Sequence, residues 1–238
     1  MSDPRQLIAD NLARVRERIT AAAHAAGRDP ASIQLVAVTK YVDVPTAALL
    51  MDAGCTMLGE SRPQQLWDKA AAPELAGVRW HLIGRLQRNK VRRTLPLVEL
   101  IHSVDSERLL VEIEEHAAAF SLTPRVLLEV NCSGEADKQG FSADEVRRLL
   151  PTLSRFSHVR VDGLMTMAAL EGGEATARAS FAALRALRDE IAAHPPTGVS
   201  FDVLSMGMSG DFEAAIAEGA TILRIGSSLF EGLRSPTP

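Results

Sequence analysis

Three separated groups of residues in this chain carry chemistry. Lys40 closes the apolar, β-branched run Ile33-Gln34-Leu35-Val36-Ala37-Val38-Thr39. Near the other end stand two small-residue segments, Leu204-Ser205-Met206-Gly207-Met208-Ser209-Gly210 and Arg224-Ile225-Gly226-Ser227-Ser228. Backbone N–H groups and hydroxyls in such loops suit an anion. Ser209 also precedes a helical run at 211–218, so the positive end of that helix is expected to face the same anion. Asp211, in the first turn of that run, is expected to point to solvent. A lysine beside a phosphate cup has two readings. It pairs with the phosphate as a charge, or it condenses with an aldehyde whose phosphate fills the cup. Condensation needs an unprotonated amine, and burial together with a neighbouring cation such as Arg224 lowers a lysine pKa.

Arg224 also bears on the kind of aldehyde. Pyridoxal 5'-phosphate (PLP) is a phosphorylated aldehyde with a ring nitrogen. A guanidinium has donors only, so facing that nitrogen it keeps the nitrogen unprotonated. That weakens the ring as an electron sink and argues against transaminase-like carbanion chemistry. An ion pair inside the fold is the alternative use of Arg224.

The elements that must position these residues alternate. Strand-like runs occur at 33–39, 55–58, 79–83, 98–104, 125–131, 158–164, 201–205 and 220–225. Helical patterns lie between them at 44–53, 62–71, 87–94, 106–119, 142–152, 174–193 and 211–218. Asp105 and Ser106 suit the cap of the fourth, and Ser142 with Glu145 is a capping box for the fifth. Gly172-Gly173 and His194-Pro195-Pro196 read as loop punctuation. Such alternation means a parallel sheet, and eight units in about 250 residues is the size of a (β/α)8 TIM barrel. Closing a barrel sets strand one beside strand eight, which brings Lys40 to the Gly226–Ser227 loop. An amphipathic helix at 4–26, with Leu7, Ile8, Leu12, Val15 and Ile19 on one stripe, is spare. It is expected to cover the gap after the last strand, since the chain stops at Pro238. An open doubly wound sheet is the alternative, weakened because no G-x-G-x-x-G follows the first strand. One domain over 1–238 is expected.

Composition removes other classes. The chain has 238 residues, 46% apolar and 24% charged, with net charge -4, so nucleic acid and anionic membranes are not favoured partners. No run of ~18 apolar residues occurs, and charged residues interrupt the N-terminal pattern, so no signal peptide is expected. Cys55 and Cys132 have no metal-ligand spacing, and no histidine pair has it either. A cytoplasmic monomer is expected. Arg85, Arg88, Lys90, Arg92 and Arg93 form a basic cluster, with Arg85, Arg88 and Arg92 expected on one solvated helix face. Glu107, Glu112, Glu114 and Glu115 likewise read as surface. Met165, Met167, Met206 and Met208 are expected to pack at the barrel mouth.

Val36-Ala37-Val38-Thr39-Lys40, Leu58-Gly59-Glu60, His81-Leu82-Ile83-Gly84-Arg85-Leu86-Gln87-Arg88-Asn89-Lys90, Gly163-Leu164-Met165-Thr166-Met167, Leu204 to Ser209 and Arg224 to Ser227 together resemble the pyridoxal phosphate homeostasis protein family, in consistent order from about residue 5 to 232. The resemblance implies a barrel like the N-terminal domain of alanine racemase. It implies PLP on Lys40 as a Schiff base, phosphate contacts from Ser209, Gly226 and Ser227, and Arg224 at the ring nitrogen. Ser61, His81, Met165, Ser205 and Met208 complete the expected cofactor-binding set, with Asn131 near it. No catalytic and no metal-binding residue is expected. The family is regarded as binding and buffering PLP and affecting amino-acid balance, without an established enzymatic turnover, and PLP-dependent apo-enzymes are the expected recipients. One departure is Gly59-Glu60-Ser61 where the family reads Gly-Glu-Asn: Ser61 keeps a hydrogen-bonding group and loses the amide. Two alternatives stand beside this reading. One is a PLP-dependent amino-acid racemase, for which Lys40 serves one face and Tyr41 is a poor candidate for the other, since neighbours on a strand point apart. The other is a PLP-free barrel enzyme acting on a phosphorylated metabolite.

Overall fold

Eight strands hydrogen-bond in chain order and close into one parallel barrel. They are β1 (Gln34–Val38), β2 (Met57–Glu60), β3 (Arg79–Leu82), β4 (Leu100–Val104), β5 (Arg125–Glu129), β6 (Arg160–Met165), β7 (Val203–Ser205) and β8 (Ile222–Ile225). The surrounding helices are α1 (Pro4–Ala25), α2 (Val44–Asp52), α3 (Pro63–Ala70), α4 (Val91–Thr94), α5 (Glu107–Phe120), α6 (Ala143–Leu149), α7 (Gly173–Ala193) and α8 (Phe212–Ala217). This computed structural model describes residues 3–133, 139–169, 172–194 and 199–233. Pro195 and Pro196, expected in a loop, lie outside the described residues.

Closure is made by β1 on β8, with Ala37 opposite Ile225. One residue further, Gly226 lies against Val38, where an added Cβ would meet the Val38 Cβ at 3.4 Å. The two chain segments expected to share the site therefore leave the barrel side by side.

Strands here are buried on both faces, as parallel sheets require. Val36, Leu100, Leu127, Met165 and Ile222 fill the interior. A larger shell, including Leu58, Leu82, Ile101, Val126 and Leu164, packs between strands and helices. At the N-terminal end of the strands Arg79 pairs with Glu99 at 2.5 Å, Arg125 with Asp162 at 2.5 Å and Arg160 with Asp162 at 2.5 Å. That end is held by charges, and the opposite end is left for chemistry. Helix α1 packs against α8 and α2, which is the gap it was expected to cover. Asn11 on α1 donates to the carbonyls of Leu229 and Glu231 at 3.2 and 2.9 Å, tying the helix to the segment after β8.

Helix ends differ from the sequence pattern for local reasons. The run at 87–94 is a 3-10 turn at Arg88–Lys90 followed by the short α4, and Pro96 then ends it. Arg85 precedes this turn, so the arginines do not share one helix face. The run at 142–152 is α only to Leu149, because Pro151 has no N–H to continue the ladder. Its capping box is formed, whereas Ser106 caps α5 without a side-chain bond and donates instead to Asp105. Met206 is fully buried and belongs to the shell behind the strands, not to the mouth.

Candidate functional site

Lys40 lies in a turn just beyond β1, closed by the Val42 N–H on the Thr39 carbonyl at 3.1 Å. The turn is held from behind. Lys69 on α3, only 7% exposed, donates to the Thr39 carbonyl at 2.7 Å and to Glu60 Oε1 at 2.5 Å. Thr39 Oγ1 donates to the same Glu60 oxygen at 2.7 Å. A buried ion pair is tolerated only when such bonds offset its lost hydration. Lys40 itself is half-buried and makes no ion pair among the described residues. Its Nζ stands 4.8 Å from the centroid of the exposed Tyr41 ring. Both residues lie past the strand, so the alternation that predicts opposite sides does not reach them.

The two loops beside Lys40 offer donors. Ser209 Oγ accepts from the N–H groups of Gly226 and Ser228, both at a long 3.3 Å. The N–H groups of Ser209, Gly210 and Ser227 have no partner among the described residues. Gly207 permits the approach: its φ is +93°, and a Cβ there would strike the Ala215 Cβ at 2.6 Å. An anion with several acceptor oxygens fits this donor set. Asp211 does not point to solvent. It is half-buried and accepts from the Met208 N–H at 2.6 Å, and burial pushes its carboxyl pKa up. Met208 is 36% exposed at the rim.

Arg224 is buried at the end of β8. It donates to Ser205 Oγ at 2.6 Å and to the Thr166 carbonyl at 3.0 Å. Burial lowers its pKa to about 10 against the pull of Glu129 and Asp211. Behind it runs a chain of hydrogen bonds. Ser205 Oγ meets His102 Nδ1 at 2.8 Å, and His102 Nε2 meets His81 Nδ1 at 2.8 Å. His81 Nε2 is sealed without a partner. Burial holds His81 down to about 4 and His102 well below the usual histidine value, so both are neutral at pH 7. His81 thus ends a relay that begins at Arg224. Met165 is fully buried in the interior, opposite Ser205 in register. Ser61 follows β2 against Gly84, where a Cβ would run into the Ser61 backbone. Asn131 is half-buried just past β5.

Sequence reasoning missed Lys69, His102 and Glu129. Glu129 ends β5 and is 6% exposed. Burial first, and the Asp105 carboxylate second, push its pKa up to about 7, against Arg224 and Arg85. Only the structure reveals it, two residues after Leu127 and paired in register with Met165 on the inward face.

The fold and site define a barrel of the alanine racemase type: residues 9–234 match the family Alanine racemase, N-terminal domain. The pyridoxal phosphate homeostasis protein of Aquifex aeolicus is 39% identical over 221 residues, 93% of this chain and 96% of that protein. That of Pseudomonas aeruginosa is 38% identical, over 94% of each chain. The structure of PipY from Synechococcus elongatus PCC7942 with PLP bound matches with a TM-score of 0.83 at 34% identity, covering 94% of this chain and 99% of that one. The chain belongs to the pyridoxal phosphate homeostasis protein family.

Proposed function

We propose that this protein binds PLP and holds it for delivery, with the Lys40 amine bonded to the aldehyde carbon as a Schiff base. The observation that supports the reading is the side-by-side exit of β1 and β8, which brings the Lys40 turn toward the loops that carry the free N–H groups of Ser209, Gly210 and Ser227. The residues present fit the cofactor. Unpartnered N–H groups suit the phosphate, and Arg224, with donors only, suits an unprotonated ring nitrogen. Ser205 and the Thr166 carbonyl hold Arg224 in place. The Lys69–Glu60–Thr39 cluster holds the Lys40 turn. PLP supplies an aldehyde that condenses reversibly with amines. The protein acts as a cytoplasmic monomer of one domain, with PLP-dependent apo-enzymes as recipients.

Borohydride reduction of the purified, PLP-loaded protein followed by peptide mapping tests this. The reduced adduct is expected on Lys40, and label on a different side chain refutes the assignment. Lys40→Ala is expected to lose the visible absorbance of the adduct while keeping the fold.

One observation favours a second reading. A racemase needs a proton-carrying group on each face of its substrate, and Glu129 is such a group on the wall away from Lys40. Formation of D-alanine from L-alanine by the loaded protein separates the two readings.

A further inference from the structure

The wall of the mouth away from Lys40 carries charges that the cofactor-holding residues leave unused. In a closed barrel of eight strands, β5 stands across from β1. Glu129 at its end faces inward, because Leu127 two residues earlier lies in the interior cluster and Glu129 pairs in register with Met165 of that cluster. At 6% exposure its carboxylate makes no hydrogen bond among the described residues. Its oxygens are nevertheless not sealed, as Glu60 Oε2 and His81 Nε2 are, so they open into the mouth.

Two further groups come from the neighbouring strands. Asp105 follows β4, half-buried, and accepts from Ser106 Oγ at 3.0 Å. Arg85 follows β3, exposed, with neither hydrogen bond nor ion pair among the described residues. Ser103 Oγ on β4 donates to the Gly84 carbonyl at 2.6 Å and so fixes the start of the Arg85 loop against β4. Glu129 senses the charges of both Asp105 and Arg85. Two carboxylates and one guanidinium thus line consecutive strand ends. An unpaired buried carboxylate is costly, and a cation arriving beside it offsets that cost.

We propose that Arg85, Asp105 and Glu129 form a subsite for an α-amino acid, the amine that takes the carbonyl ligand from Lys40. The ammonium sits between the carboxylates, and the α-carboxylate pairs with Arg85 in the forked geometry a guanidinium offers. This arrangement excludes a simple amine as the preferred ligand, since Arg85 would stay unpaired. In the exchange one carbon–nitrogen bond forms at the carbonyl carbon and one breaks. The double bond to the Lys40 nitrogen is replaced by one to the incoming nitrogen, whose three ammonium protons pass to Lys40, so Lys40 is released as an ammonium and no oxidant or reductant is consumed. The exchange rests on the PLP reading; binding of the amino acid to the unloaded protein does not.

The test uses the full chain, unloaded and PLP-loaded, with L-alanine as the probe. Calorimetry reads alanine binding to the unloaded form, and dialysis with absorbance reads PLP release from the loaded form. Saturable binding is expected for the wild type. Arg85→Gln and Glu129→Gln are each expected to bind about tenfold more weakly, the loss of one charge-assisted hydrogen bond, with circular dichroism showing an intact fold. Ethylamine and acetate are expected to bind more weakly than alanine. Absence of saturable alanine binding, wild-type affinity in both variants, or equal binding of ethylamine overturns the subsite. A protein that binds alanine but not PLP keeps the subsite and refutes the cofactor reading; one that binds PLP but not alanine does the reverse.

Discussion

Lys69 Nζ and Glu60 Oε1 lie 2.5 Å apart in a buried pair directly behind the turn that carries Lys40. Lys69→Met removes the counter-charge of the buried Glu60 and one of the two donors to the Thr39 carbonyl. The expected loss is about 3–5 kcal/mol, the usual cost of stranding one member of a buried pair. Adding Glu60→Gln removes the stranded charge and is expected to restore part of it. Urea unfolding of the two variants against wild type decides the matter, and a single variant as stable as wild type would show that the pair does not hold the turn.

This pair also shows what the sequence could and could not disclose. All eight strands were legible, because each is an apolar run between turn signals and their order follows from alternation alone. Lys40, Arg224 and the Ser209 and Gly226 loops were legible as strand-end residues. Lys69 was not, because a lysine in an amphipathic helix reads as its wet face, and only the distant Glu60 makes it an inner residue. His102 was hidden for another reason. Both faces of a barrel strand are buried, so periodicity does not say which residues point inward. Its partners His81 and Ser205 sit 21 and 103 positions away.

Ser205 joins Arg224 to His102, so its hydroxyl serves two buried groups at once. Ser205→Ala is expected to cost about 1–3 kcal/mol, the penalty for buried polar atoms left unpaired. Ser205→Thr keeps the hydroxyl and is expected to cost less. Chemical unfolding measures both, and an alanine variant equal to wild type would mean that water replaces the hydroxyl at no cost.

His81 makes the fold sensitive to acid. Its pKa falls from 6.5 to about 4 on burial. Between those values the unfolded chain binds the proton and the native protein does not. Stability from this group is therefore complete above pH 6.5 and is lost as pH falls toward 4, by up to about 3 kcal/mol. A His81→Gln variant lacks this group, so its stability is expected to fall less steeply over that window. Melting temperatures at pH 7.5, 6 and 5 check the slope; parallel curves for variant and wild type would remove His81 as the cause.

Glu129 acts in the opposite direction, and the two effects partly cancel between about pH 4.5 and 6.5 unless each is isolated in its own variant. Its pKa rises from 4.5 to about 7 in the native protein. Across that interval the native state binds more proton than the unfolded chain, so stability falls as pH rises. Glu129→Gln carries no charge to bury. Its stability is expected to match wild type near pH 4 and to exceed it increasingly up to pH 8, by as much as about 3 kcal/mol. The same substitution is expected to weaken alanine binding, so one side chain lowers stability and supplies binding, the trade expected where a charge is kept for a ligand. A melting-temperature difference that stays constant from pH 4 to 8 would show that the Glu129 carboxylate carries no such burden.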